Sequence, residues 1–209
     1  MIRLAAALVL LALPAAAQTL SPPEAATLPR VIATACLDLA EVHNGCEQVI
    51  LLASKVEPDT ADLIVLTDWR TTPPSAPLLI ARGIVFNGPM WGMAPSVEQA
   101  ENGSLLLQSG QGGIGGAPWA QTLTLAWRDG GFIVAGYTWS AYIRASGDTA
   151  ECDVNLITGD YSIGATRAGA PFLAQSGRIA PVAMPAAHWV IDTAAPAPCA
   201  EAARLIFED

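Results

Sequence analysis

The chain has 209 residues, 52% of them hydrophobic and 14% charged, with a formal net charge of −9 and a single lysine, Lys55. A balance this acidic excludes nucleic acid and anionic lipid as partners, because both demand a basic surface that releases counterions or meets phosphates. The length suits one domain with a sizeable core.

Arg3 precedes an unbroken apolar run from Leu4 to Leu13, and Pro14-Ala15-Ala16-Ala17 supplies a small-residue cleavage site. This is the pattern of a secretory signal peptide over residues 1–17, with the mature chain starting near Gln18. The run is about half of the roughly 20 apolar residues a membrane helix needs. No membrane span is expected elsewhere, and loss of Arg3 with the leader lowers the formal charge from −9 to −10. Periplasmic or secreted placement follows, and the 18–209 segment reads as one β-rich exported domain.

Beyond the leader, Ser21-Pro22-Pro23-Glu24 has the form of a capping box, interrupted by Pro29. Leu28, Val31, Ile32, Ala35, Leu39 and Val42 fall at helical spacing before Asn44-Gly45, so one N-terminal amphipathic helix is predicted there. Gln48–Ala53 and Leu63–Thr67 read as a hairpin about Pro58-Asp59-Thr60. The segment 71–77 holds three prolines and reads as a long surface loop. Strands are expected over Leu78–Phe86 and Ser104–Gln108.

The clearest alternation follows. Leu123, Leu125 and Trp127 lead to the hairpin dipeptide Asp129-Gly130, and Ile133, Ala135, Tyr137, Trp139, Ala141 and Ile143 continue on one face. Ala150, Cys152, Val154 and Leu156 alternate next with Glu151, Asp153 and Asn155, and Tyr161–Ala165 completes a four-stranded antiparallel meander. The expected fold is mainly β, an antiparallel sandwich or open barrel with that N-terminal helix packed on one side. An α+β fold with further helix around Val97–Asn102 and Glu201–Phe207 is the alternative.

Cys152-Asp153-Val154-Asn155-Leu156-Ile157-Thr158-Gly159, after Phe132–Tyr142, resembles a segment of small secreted bacterial β-rich proteins of uncharacterised function. The resemblance covers about a quarter of the chain. It implies export and β structure and brings no site residue with it.

Cys36, Cys46, Cys152 and Cys199 would all meet an oxidising compartment after export, which makes two disulfides the default. Three pairings are possible. Cys36 with Cys46 closes a short local loop and Cys152 with Cys199 ties the tail to the body, and this is the pairing favoured. Zinc would need paired ligand spacing, yet no C-x-x-C is present and only His43 and His188 could assist, so no metal and no cofactor is expected.

Gly110-Gln111-Gly112-Gly113-Ile114-Gly115 matches G-x-G-x-x-G, but Thr122-Leu123-Thr124-Leu125 after it is strand-like, where a dinucleotide site needs a helix. It reads as a hairpin loop. Ser109 stands at a strand end without a nucleophile elbow. His43 and His188 lack a motif that would make either a general base. Among the carboxylates, Asp59 with Asp62, Glu98 with Glu101, and Asp148, Glu151 and Asp153 lie close in sequence, and Glu151 and Asp153 share the wet face of one strand.

Six tryptophans stand among few other aromatics. Trp127 and Trp139 fit the core face, whereas Trp91 and Trp119 fall in Gly- and Pro-rich segments, where an indole can stack on a sugar or anchor a protein. These observations favour a non-enzymatic envelope module binding a protein or a glycan near Trp91 and Trp119. Hydrolysis of an envelope polymer by a carboxylate pair is the alternative, and the sequence leaves the oligomeric state open.

Overall fold

The computed structural model describes residues 20–40, 45–68, 77–88, 93–113 and 115–207. The signal peptide at 1–17, His43, Trp69, Trp91 and the loop at 71–77 apart from Pro77 lie outside the described residues. A short helix α1 (Pro22–Thr27) is closed by the Ser21–Glu24 capping box. Strands β1 (Val31–Leu37), β2 (Glu47–Ala53), β3 (Thr60–Leu66) and β4 (Pro77–Phe86) pair in sequence order as one antiparallel sheet. Strands β5 (Ser96–Gln99), β6 (Leu105–Gln111), β7 (Trp119–Arg128), β8 (Gly131–Tyr142), β9 (Thr149–Asn155), β10 (Asp160–Arg167) and β11 (Ala170–Arg178) form a second antiparallel meander. A two-residue β12 (Met184–Pro185) pairs with β8, and the chain ends in α2 (Ala197–Phe207).

The fold is mainly β and sandwich-like, with no closed barrel among the described residues: β5 and β11 end the large sheet without pairing to each other. One core joins the sheets. Val49, Leu51, Leu63, Val65, Ile84 and Val85 from the small sheet meet Leu105, Leu107, Leu123, Leu125 and Val134 from the large one, all at zero exposure. Each such side chain contributes about 1.5–3 kcal/mol of transfer free energy.

The N-terminal amphipathic helix expected from Leu28 to Val42 is not formed over the described residues 28–40, and Val42 lies outside them. Residues 31–37 are strand β1, paired to β2 from Val31↔Leu52 to Leu37↔Glu47. Val31, Ile32 and Thr34 are β-branched and suit a pleated surface, and Ala33, Ala35 and Leu37 also repeat with period two, so the long-range ladder overrides the helical spacing. The Cys36–Cys46 disulfide therefore ties strand β1 to the residue that leads into its partner β2, not a helix to a strand. Of the helical segments considered at the other end, 96–99 is strand β5, while the tail is helical as α2.

Hairpin β7–β8 turns on Asp129 and Gly130 at φ 49° and 83°, the paired positive angles that a tight two-residue turn requires. Past the turn, a bulge between the pairs Thr124↔Gly136 and Leu125↔Val134 shifts the alternation. Phe132 and Val134 face the core before it, and Tyr137, Trp139 and Ala141 after it; the uninterrupted set beginning at Ile133 does not hold.

Asp62 on β3 is buried and organises β4. Its Oδ2 accepts from Arg82 Nη1 at 2.8 Å, with Arg30 Nη2 at 3.7 Å, and its Oδ1 accepts from the Gly83 backbone N–H at 3.0 Å. Gly83 stands at φ 55°, where the β3–β4 register slips, and its carbonyl accepts from the Ile191 N–H at 2.8 Å. A buried carboxylate thus sets the bend that holds the tail.

The small sheet covers only part of the large one. Over β9 and β10 the cover is α2, whose Cys199 and Ala202 are buried against Cys152, Ile163 and Ala165. Cys152–Cys199 fixes this lid across a separation of 47 residues, against 10 for Cys36–Cys46. Loop closure on those scales corresponds to about 4 and 3 kcal/mol. We predict that Cys152→Ser with Cys199→Ser lowers unfolding free energy in urea by more than Cys36→Ser with Cys46→Ser does; equal losses would contradict the role of α2 as a core-covering element.

Candidate functional site

The Gly-rich segment closes the β6–β7 hairpin, with Gln111 opposite Trp119 as its last rung. Ile114 lies outside the described residues. A strand follows, not a helix, so the segment offers no helix terminus to a phosphate. Trp119 is the first residue of β7, not part of the loop, and alternation turns Trp119, Gln121 and Leu123 to the same face of the sheet.

That face is where the two covers of the large sheet fail to meet. Between β4 on one side and α2 on the other lies a recess of about 270 Å³, lined by Trp119, Gln121, Tyr137, Trp139, Ile191 and Phe207. Trp119 packs against Phe86 with ring centroids 5.6 Å apart. Phe207, the last residue of α2, stands edge-on to Trp139 at 6.1 Å and is 46% exposed, so one aromatic edge of the recess is open to solvent. Ile191 is placed by its hydrogen bond to Gly83, and Trp189 backs Tyr137 at 5.8 Å.

The polar groups converge on Gln121, which the register places opposite both Ser109 and Trp139. Its Oε1 accepts from the Tyr137 hydroxyl at 3.2 Å. Ser109 Oγ is buried with no hydrogen-bond partner among the described residues, as are Glu47 Oε1 and Asn87 Oδ1 elsewhere in the fold. An unpaired buried hydroxyl costs about 1–3 kcal/mol, which a structure tolerates where a ligand or water completes it. Burial pushes the Tyr137 hydroxyl up to about 12, so it remains a proton donor throughout the physiological range.

Four larger hollows have a different character, among them one of about 360 Å³ beside the β6–β7 hairpin that shares Trp119 and Gln121 with the recess but holds no second aromatic ring. One of about 480 Å³ on the large sheet includes Tyr142 and Glu151, and a polar one of about 470 Å³ includes Asp38, Ser104 and Asp129. An apolar one of about 390 Å³ lies between Leu156, Met184 and Trp189. Among the described residues, this smaller recess joins several aromatic rings to a shared amide, and this chemistry, not volume, makes it the candidate site.

Of the residues singled out by sequence, Trp119 lines this recess and Trp91 lies outside the described residues. Trp139 is buried in the core and also forms part of the recess wall, whereas Trp127 is half-buried against Phe132 as a core residue. Ser109 is buried within β6, so it is not displayed as a nucleophile. Glu151 and Asp153 are both exposed on the outer face of β9, and Asp153 accepts from Thr138 Oγ1 at 2.7 Å. Asp62 is buried while Asp59 sits in an exposed turn; Glu98 and Glu101 are exposed around the end of β5. His188 is exposed in a short 3-10 turn. Among the described residues, no three His, Cys, Asp or Glu side chains gather as a metal site.

Gln121, Tyr137, Ile191 and Phe207 are members of the recess that sequence reasoning did not assemble. Tyr137 was visible as part of the alternating core set, but nothing local indicates that a tail residue 70 positions later closes over it.

Comparison with protein-family models, curated proteins and solved structures returns no match. The fold and recess define a two-sheet antiparallel β protein with two disulfides, a tail helix fastened as a cover and an aromatic recess at its margin.

Tyr137 gives the site a pH signature. A phenol raised in the folded state adds stability that is complete below the unfolded value near 10 and is lost as pH rises towards about 12. Ultraviolet titration should show one tyrosinate forming only near pH 12, and Tyr137→Phe should delete that step. Persistence of the step in the variant would assign it elsewhere.

Proposed function

We propose that this protein is an exported, non-enzymatic binding module of the cell envelope whose aromatic recess takes a sugar ring of an envelope glycan. One observation carries the reading: Trp119, Tyr137, Trp139 and Phe207 meet around Gln121 in a single open recess. A pyranose has an apolar face of C–H groups and a rim of hydroxyls. Indole and phenyl rings match the face, and an amide with a phenol matches the rim. The leader pattern supports export, and two disulfides suit an oxidising compartment. Among the described residues no helix is long and apolar enough to cross a membrane.

Polymer hydrolysis by Glu151 and Asp153 fits the geometry less well. The two carboxylates rise from one face of one strand, about 6.7 Å apart along it. They stand side by side instead of flanking a bound sugar from two walls, and Asp153 is engaged by Thr138.

Calorimetric titration of the mature protein with a panel of envelope mono- and disaccharides tests the reading. Phe207→Ala, at an exposed position, should weaken binding about tenfold with little change in Tm, and Trp119→Ala should weaken it further. Unaltered affinity in both variants, or turnover of a glycan that depends on Glu151, would replace this reading.

A further inference from the structure

The outer face of the large sheet is built from short side chains in register. Pairing places Gln108 opposite Thr122, Thr122 opposite Thr138, Thr138 opposite Asp153, Asp153 opposite Ser162, and Ser162 opposite Ser176. One row crosses six strands, and every member carries a hydroxyl, an amide or a carboxylate. The adjacent row is Gly110, Ala120, Ser140, Glu151, Gly164 and Ala174, in which only Glu151 is longer than a serine. A ladder of hydrogen-bonding groups therefore runs beside a shallow trough.

Over β7–β9 the trough widens into the hollow of about 480 Å³, bounded by Tyr142, Thr149 and Pro118. Tyr142 is 43% exposed, with the Arg144 guanidinium 5.8 Å from its ring centre. The Glu151 carboxylate lies along the trough because its neighbour is glycine: a Cβ on Gly164 would stand 2.8 Å from Glu151 Oε1. Glu151 makes no hydrogen bond or ion pair with any described residue.

A sheet face that merely meets water is normally furnished with long charged side chains. Neither row holds a lysine or an arginine, and the chain's one lysine, Lys55, lies in the turn between β2 and β3. Serine, threonine, alanine and glycine lose little rotamer freedom when covered, so the face is ordered before anything binds. The absence of cations from both rows, with two carboxylates present, disfavours a polyanion. Strands repeat every 4.8 Å or so, close to the length of one hexose unit, and the six-strand row spans roughly 24 Å.

We propose that this outer face is a second binding surface, which meets the aromatic recess only at Trp119 and takes a linear uncharged polysaccharide laid across the strands. Glu151 is the acceptor in its trough, the Thr–Ser row supplies paired donors and acceptors, and Tyr142 stacks on one ring.

Affinity electrophoresis of the mature protein in gels carrying hydroxyethylcellulose, xylan or a mixed-linkage β-glucan tests this, with alginate as the charged control. At least one neutral polymer should retard the wild-type chain and alginate should not. Ser140→Arg, which fills the trough, should reduce retardation at least about tenfold, and Gly164→Ala, whose Cβ displaces the Glu151 carboxylate, about three- to tenfold. Lys55→Ala should migrate as wild type, and circular dichroism with Tm establishes that each variant is folded. Failure of every neutral polymer to retard the wild type overturns the proposal, as does retardation by alginate alone. Retardation lost in Phe207→Ala yet retained in Ser140→Arg would assign the polymer to the recess and overturn it equally.

Discussion

A seven-strand meander facing a four-strand sheet leaves apolar surface that the partner sheet cannot cover, and the rest of the molecule answers that mismatch. Ala150, Cys152, Val154, Ile163 and Ala165 would face water if the chain ended at β11. The tail returns over them as β12, a short turn and α2, and Cys199 fastens the helix to Cys152. Because the two covers come from opposite ends of the chain, they meet imperfectly. The aromatic recess is the seam between them, bounded by Phe86 and Trp119 on one side and Phe207 on the other.

The seam is held at a fixed width by interactions far from it. Asp62 accepts from Gly83, Gly83 accepts from Ile191, and Ile191 forms part of the recess wall. The disulfide sets the other wall through α2. A ligand entering such a recess would meet rings whose positions are already determined, which limits the ordering cost of binding. On the outer face, the same economy comes from side chains too short to have much freedom to lose.

The parts of the fold legible in the sequence are those governed by neighbours. Asp129-Gly130 specifies a turn through its own backbone angles, and β9 alternates because Glu151 and Asp153 are wet while Cys152 and Val154 are buried. The disulfides formed are the favoured one of the three pairings that the sequence left open. Strand β1 could not, because Val31 to Leu37 satisfies a helical and an extended pattern together, and only pairing with β2 decides between them. Strand β11 gave no signal, since nearly all its residues are exposed on both faces and no burial pattern imposes an alternation. The recess was legible only as a surplus of tryptophan. Bringing Trp119, Trp139 and Phe207 together depends on sheet register and on where the tail docks, neither of which is local.

The Cys152–Cys199 bond has a topological consequence. It closes a covalent ring that contains the end of β9, all of β10, β11 and β12, and the start of α2. The most exposed strand of the protein lies inside that ring. A protease that nicks the chain at β11 or at the exposed 180–183 segment opens the ring without releasing a fragment, so α2 remains attached over the core it covers. In a compartment shared with secreted proteases, the molecule can thus survive a cut backbone as one piece, its recess still walled on both sides.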